Sequence, residues 1–137
     1  MNITELVKTL IEQTNSDELI WNVVSKRDFH LLEDFVAESK FVQVFRTKYK
    51  ENTNNLNVYM AKNTLKHYDI QNDTFYTTFG FNLFFLDEQN NLLFDLTDHI
   101  GSKQTEKIFN GIEKQQISNK LNIEFPKEKG FDFDPNL

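Results

Sequence analysis

The chain contains no cysteine, only four glycines, two prolines and one tryptophan among its 137 residues. Without cysteine there is no disulfide frame, no thiolate metal site and no cysteine nucleophile. Four glycines leave little material for a loop that cradles phosphate, and neither GxxxxGK[ST], GxGxxG nor GxSxG occurs. Long apolar runs are missing too. The most apolar window, Phe81 to Leu86, is six residues long and is interrupted by Asn82, far short of the roughly 18 residues of a membrane span. The opening MNITELVKTL lacks the basic start and apolar stretch of a secretion signal, so the expectation is a cytosolic chain without a membrane association. Basic residues are in the minority, 15 against 21 acidic, for a net charge of −6. That balance weighs against general attraction to nucleic acid or anionic lipid.

What is present is phenylalanine, 14 residues of it, in a chain that is 39% hydrophobic and 26% charged. This is the composition of one ordinary globular domain, long enough to bury roughly two thirds of its unfolded surface. Sixteen asparagines and a 13-to-2 excess of lysine over arginine point to a composition typical of AT-rich coding sequence, which accounts for part of the phenylalanine.

Ile3, Leu6, Val7, Leu10 and Ile11 predict an amphipathic helix over residues 3 to 14, with Asn2 and Glu5 placed as a capping box. Residues 19 to 24, around Trp21, read as a short strand, and residues 29 to 37 as a short helix. From residue 40 the apolar period becomes two. Phe41, Phe45 and Tyr49 fall on one face, with Val42, Val44, Arg46, Lys48 and Lys50 on the other. A turn at Asn54-Asn55 brings Leu56, Val58 and Met60 to the Phe41 face and leaves Tyr59 on the outer one. A third strand over 74 to 86 carries Phe75, Phe79, Phe81, Leu83 and Phe85 at odd positions. After a turn at Asn90-Asn91, the same parity puts Leu92, Phe94 and Leu96 on the core side. A polar helix follows over 102 to 120, with Ser102 as its cap. The fold class is therefore α+β, an antiparallel sheet of four or five strands with N- and C-terminal helices packed on one face. Residues 1 to 121 form a single domain, and 122 to 137 a tail that is a candidate edge strand.

No residue constellation demands catalysis. His30, His67 and His99 stand far apart, and the carboxylates of Asp87-Glu88, Asp95, Asp98 and Asp132/Asp134 fit solvated turns and tail. No catalytic, cofactor-binding or metal-binding residue is assigned, and no cofactor is implied. Phe79-Gly80-Phe81-Asn82-Leu83-Phe84 superficially resembles the aromatic strand of an RNA-recognition motif, but Thr77 and Thr78 replace its leading basic residue and glycine. Phe79 and Phe81 also share a face with Phe75, Leu83 and Phe85, so all five are expected in the core.

Charge is segregated along the chain. Residues 40 to 66 hold six basic groups and one acidic, net +5, between an N-terminal stretch of −5 and a stretch over 67 to 100 of −6. Arg46, Lys48 and Lys50, with Tyr59, form a stripe suited to an acidic protein or a phosphorylated ligand, with a solvated sheet face as the favoured alternative. Phe131 and Phe133 have the spacing to add a strand to a partner or to fold back on the sheet. These six residues are the candidate binding surface. The partner they suggest is another protein, acidic in character, with a homodimer also open and nucleic acid disfavoured. The order of elements, from the helix holding Leu6 to Ile11 through the hairpins ending in Leu86-Asp87-Glu88-Gln89-Asn90-Asn91-Leu92-Leu93-Phe94, resembles small uncharacterised α+β proteins of bacteria and their mobile elements. Some of those act as inhibitors or immunity proteins. That resemblance implies a non-catalytic protein-binding domain, with a small-ligand module or enzyme of unfamiliar pocket as the alternative.

Overall fold

In the computed structural model, which describes residues 2–36 and 40–121, a helix α1 (Ile3–Asn15) opens the chain. The Asn2 side chain caps it by accepting the Glu5 amide at 2.8 Å, the forward half of the expected box. Five strands follow: β1 (Asn22–Val23), β2 (Lys40–Glu51), β3 (Asn54–Asp69), β4 (Thr74–Leu86) and β5 (Leu92–Asp95). They form one antiparallel sheet in the order of the chain. Between β1 and β2 lie a 3-10 turn (Lys26–Asp28) and a single-turn α2 (His30–Glu33), less helix than the apolar spacing suggests. After β5 come α3 (Thr97–Ile100) and α4 (Ser102–Leu121). Ser102 is the first helical residue of α4 rather than a cap before it. Gly101, at φ +85, makes the bend between the two helices.

The β2–β3 turn falls at Asn52-Thr53, not Asn54-Asn55, because Glu51 pairs with Asn54 and Lys50 with Asn55. Asn52 takes the left-handed conformation that such a turn needs, φ 56. The expected parity survives this shift of register. Val58 and Met60 still share a face with Phe45 and Tyr49, and that face packs on α1 and α4. Leu10, Trp21, Phe85, Phe109 and Ile112 fill the layer between sheet and helices. Gln115 of α4 sits inside it and stitches the chain together. Its Nε2 donates to the carbonyls of Leu19 (2.7 Å) and Thr14 (2.9 Å), and its Oε1 accepts the Trp21 amide at 3.0 Å.

The second sheet face is not solvated. Phe29 and Leu32, with Val24, Phe35 and Val36 beside them, cover Val44, Tyr59, Ala61, Phe84 and Leu86 in a separate apolar cluster. Phe41 belongs to this cluster rather than to the Phe45 face. The cause is a β-bulge between Phe41 and Gln43, which adds one residue to β2 and reverses the parity of everything before it. At the far edge, a register shift between Phe85 and Leu86 likewise leaves Leu92 exposed, while Phe94 stacks on Phe85 at 4.6 Å.

The larger departure concerns the phenylalanine face. Phe81, Leu83 and Phe85 are buried as expected, but Phe75 and Phe79 are 65% and 59% exposed. β3 and β4 outrun both covering layers, so residues 71–79 are exposed on both faces. Gly80 marks where this ribbon leaves the body. A Cβ there would meet the Asn63 Oδ1 at 2.6 Å, so a larger residue at 80 would have to displace the Asn63 side chain.

Candidate functional site

An open cleft of about 690 Å³ lies where the segment from Glu18 to Leu31 passes over the middle of β2. Its apolar wall is Leu19, Ile20, Val23, Val24 and Leu31; Arg46, Lys48 and Tyr59 line the side formed by the sheet. Strand alternation sends Arg46 and Lys48 to the face that α2 covers only in part, so their side chains meet the cleft instead of bulk solvent alone. Lys50, two residues on, is exposed and does not line it. Tyr59 has only 3% of its surface exposed, because the α2 cluster packs on its ring. It supports the cleft from within: the Arg46 guanidinium carbon lies 5.9 Å from the ring centroid. Phe131 and Phe133 lie outside the described residues.

Arg46 is held in place. Its Nη2 donates to the Asn57 Oδ1 at 3.2 Å, while the Asn57 Nδ2 reaches the Asp87 carbonyl (3.4 Å) and the Asn90 Oδ1 (3.3 Å) in the β4–β5 turn. Among the described residues, neither Arg46 nor Lys48 is paired with a carboxylate. Glu18 and Asp28 belong to the lining as well. The lining thus combines two cations, two carboxylates and a group of apolar side chains.

The β4–β5 turn is itself set by Asp87. Its carboxylate accepts the amides of Gln89 and Asn91, both at 2.9 Å, and the Asn91 side chain at 3.2 Å. The Asn91 backbone bond, reinforced by the other two, holds the Asp87 carboxyl below the ordinary aspartate range, against the smaller opposing effect of desolvation. A depressed folded-state value means that the turn's contribution is complete above the ordinary aspartate range and is lost as pH falls through the lower folded value. In an NMR titration, the Gln89 and Asn91 amides are expected to hold still from about pH 7 to 5 and to move only in stronger acid. An Asp87 midpoint at or above the ordinary value contradicts this account.

The histidines do not meet. His30 Nδ1 lies 2.8 Å from the Arg27 carbonyl, His67 stacks on Tyr76 at 4.9 Å, and His99 contacts Phe94 edge-on. Among the described residues, no three of His, Asp and Glu gather as a metal-binding group, and no helix is long and apolar enough to cross a membrane.

The ribbon of β3 and β4 is a second exposed feature, and sequence parity alone placed its rings in the core. On one face Tyr68 packs on Phe75 at 5.0 Å, and the Lys66 and Lys62 ammoniums sit 4.4 and 4.3 Å over Phe75 and Phe79. On the other, His67 stacks with Tyr76 and bonds the Thr78 hydroxyl at 2.8 Å. The one signal for it in the sequence is length, since β3 and β4 run 16 and 13 residues where helices of this size cover fewer.

Comparison of the chain with protein-family models, with curated proteins and with solved structures finds no match.

Proposed function

We propose that this chain is a non-catalytic protein-binding domain that draws an acidic segment of a partner into the cleft between residues 18–31 and β2, in the manner of a small inhibitor or immunity protein. The observation that carries the reading is the placement of Arg46 and Lys48, without carboxylate partners among the described residues, along the wall of a cleft with exposed Ile20, Val23 and Leu31. Apolar side chains beside unneutralised cations are the makings of a contact centre, in which burial supplies affinity and charge selects the partner. Glu18 and Asp28 in the same lining repel carboxylates beside them and so narrow where an acidic segment seats. Among the described residues, the layer between the sheet and helices α1 and α4 is a buried apolar cluster with few polar groups to orient a ligand, which favours recognition at the surface.

The test uses a fluorescein-labelled ten-residue peptide alternating Glu and Leu. Binding is expected at low salt, weakening at least about tenfold in R46E/K48E and falling as salt rises. Equal binding by the double variant, or no binding by the native chain, overturns the proposal.

A further inference from the structure

The exposed ribbon is built unlike a simple hairpin left in solvent. Residues 71–79 are exposed on both faces, and two strands with no covering layer are at best marginal in water. Yet the ribbon is well organised. Its strands pair without a break from Asn57–Leu86 to Asp69–Thr74, and its tip is closed by side chains. Asp69 accepts the Gln71 amide at 3.0 Å and the Asn72 side chain at 2.7 Å, and the Tyr68 hydroxyl donates to Asp73. These bonds hold the Asp69 carboxyl below its ordinary range, the Asn72 side chain contributing most, so the tip is anionic at neutral pH.

We propose that this ribbon is a self-association surface, on which two copies of the chain pack their Phe75/Phe79 faces together in antiparallel orientation. Two features of the ribbon select a second copy as the occupant. The first is charge. Lys62 and Lys66 stand on the Phe75/Phe79 face at its root and middle, and Asp73, bonded to Tyr68 of that face, stands at its tip; Asp69 pairs with Thr74 and belongs to the opposite face. Laid antiparallel about a two-fold axis, each cationic root meets the other copy's anionic tip, which is the self-complementarity an isologous dimer needs. The second is area. Tyr68, Phe75 and Phe79 are 49%, 65% and 59% exposed, and Ile70 at the tip is 82% exposed. At about 200 Å² per ring these side chains, with the lysine stems between them, offer roughly 500 Å² per copy. Two copies together reach about 1,000 Å², the lower bound for a specific interface, so the expected association is weak and concentration-dependent.

A nucleic-acid strand is the competing occupant, since stacking on exposed rings is its usual mode. The ribbon's formal charge over residues 62 to 79 is zero, which gives no net attraction to a phosphate backbone and favours the second copy.

The absence of cysteine makes the test clean, because one introduced thiol is unique. Thr77 shares the Phe75/Phe79 face at the middle of the ribbon, and Thr78 lies on the opposite face. Under mild oxidation Thr77→Cys is expected to give a disulfide-linked dimer and Thr78→Cys little or none. By sedimentation at about 100 µM the native chain is expected to be largely dimeric, and F75S/F79S monomeric with unchanged circular dichroism. A monomeric native chain at that concentration, or equal cross-linking by both cysteines, overturns the proposal. So does binding of oligo(dT) by a monomeric native chain that F75S/F79S abolishes, which assigns the ribbon to nucleic acid instead. None of these readouts involves Arg46 or Lys48, so the outcome is independent of the cleft.

Discussion

Replacing Phe109 with alanine is expected to lower the free energy of unfolding by about 3–5 kcal/mol, as for other aromatic truncations in well-packed cores. Phe109 is 1% exposed and joins α4 to the sheet through Phe81 at 5.2 Å and Phe45 at 5.6 Å. Its loss removes the transfer energy of a ring and leaves a cavity at the junction of three elements, and α4 cannot collapse into that space while Ile108 and Ile112 hold it to the sheet. Against a typical total of about 5–15 kcal/mol, such a loss brings the domain close to unfolding. Phe75→Ala is the natural comparison. It truncates the same residue type on an exposed ribbon and is expected to cost about 1 kcal/mol or less, mostly the contacts with Tyr68 and Lys66. Urea denaturation of the two variants reads the difference directly, and a Phe109→Ala loss no larger than that of Phe75→Ala contradicts the placement of the core.

Gln115→Met is the second large effect, about 3 kcal/mol, and it arises from hydrogen bonding rather than volume. Methionine matches the length of glutamine but offers no amide. The Trp21 amide and the Leu19 carbonyl then lose their partner in a buried site, and the Thr14 carbonyl keeps only the Asp17 amide at 3.3 Å. Each buried group left unpaired costs about 1–3 kcal/mol, and water entering the gap recovers part of that. The segment affected is the one that turns from α1 into β1, and its continuation forms the apolar wall of the cleft. Gln115→Met is therefore also expected to increase amide exchange at Trp21. Retention of stability to within about 0.5 kcal/mol would falsify the role given to Gln115.

The elements were legible because they rest on local rules. The α1 stripe, the Asn2 cap and the alternation through β2, β3 and β4 each follow from the spacing of a few neighbours. Gln115 gave no such signal, since a glutamine on a polar helix has the same pattern whether it faces water or three backbone groups 94 to 101 residues away. The candidate surface was legible in part. Alternation grouped Arg46, Lys48 and Lys50, but the cleft takes up the first two because the chain from Glu18 to Leu31 crosses there and not at Lys50. Tyr59 shares their face and is buried, because that same segment brings Phe29 and Leu32 over it.

By itself the sequence determined the fold class, the strands and their antiparallel parity, and the helices that pack on one face. These depend on periods of 2 and 3.6 that are intrinsic to the backbone. Tertiary structure decided which faces, and how much of each, are covered. One extra residue at the β2 bulge moved Phe41 to the other face, and two strands longer than their covering layers moved Phe75 and Phe79 out of the core. Periodicity says which residues share a face, whereas burial depends on how far the neighbouring layer extends, and that length is a property of the assembled chain.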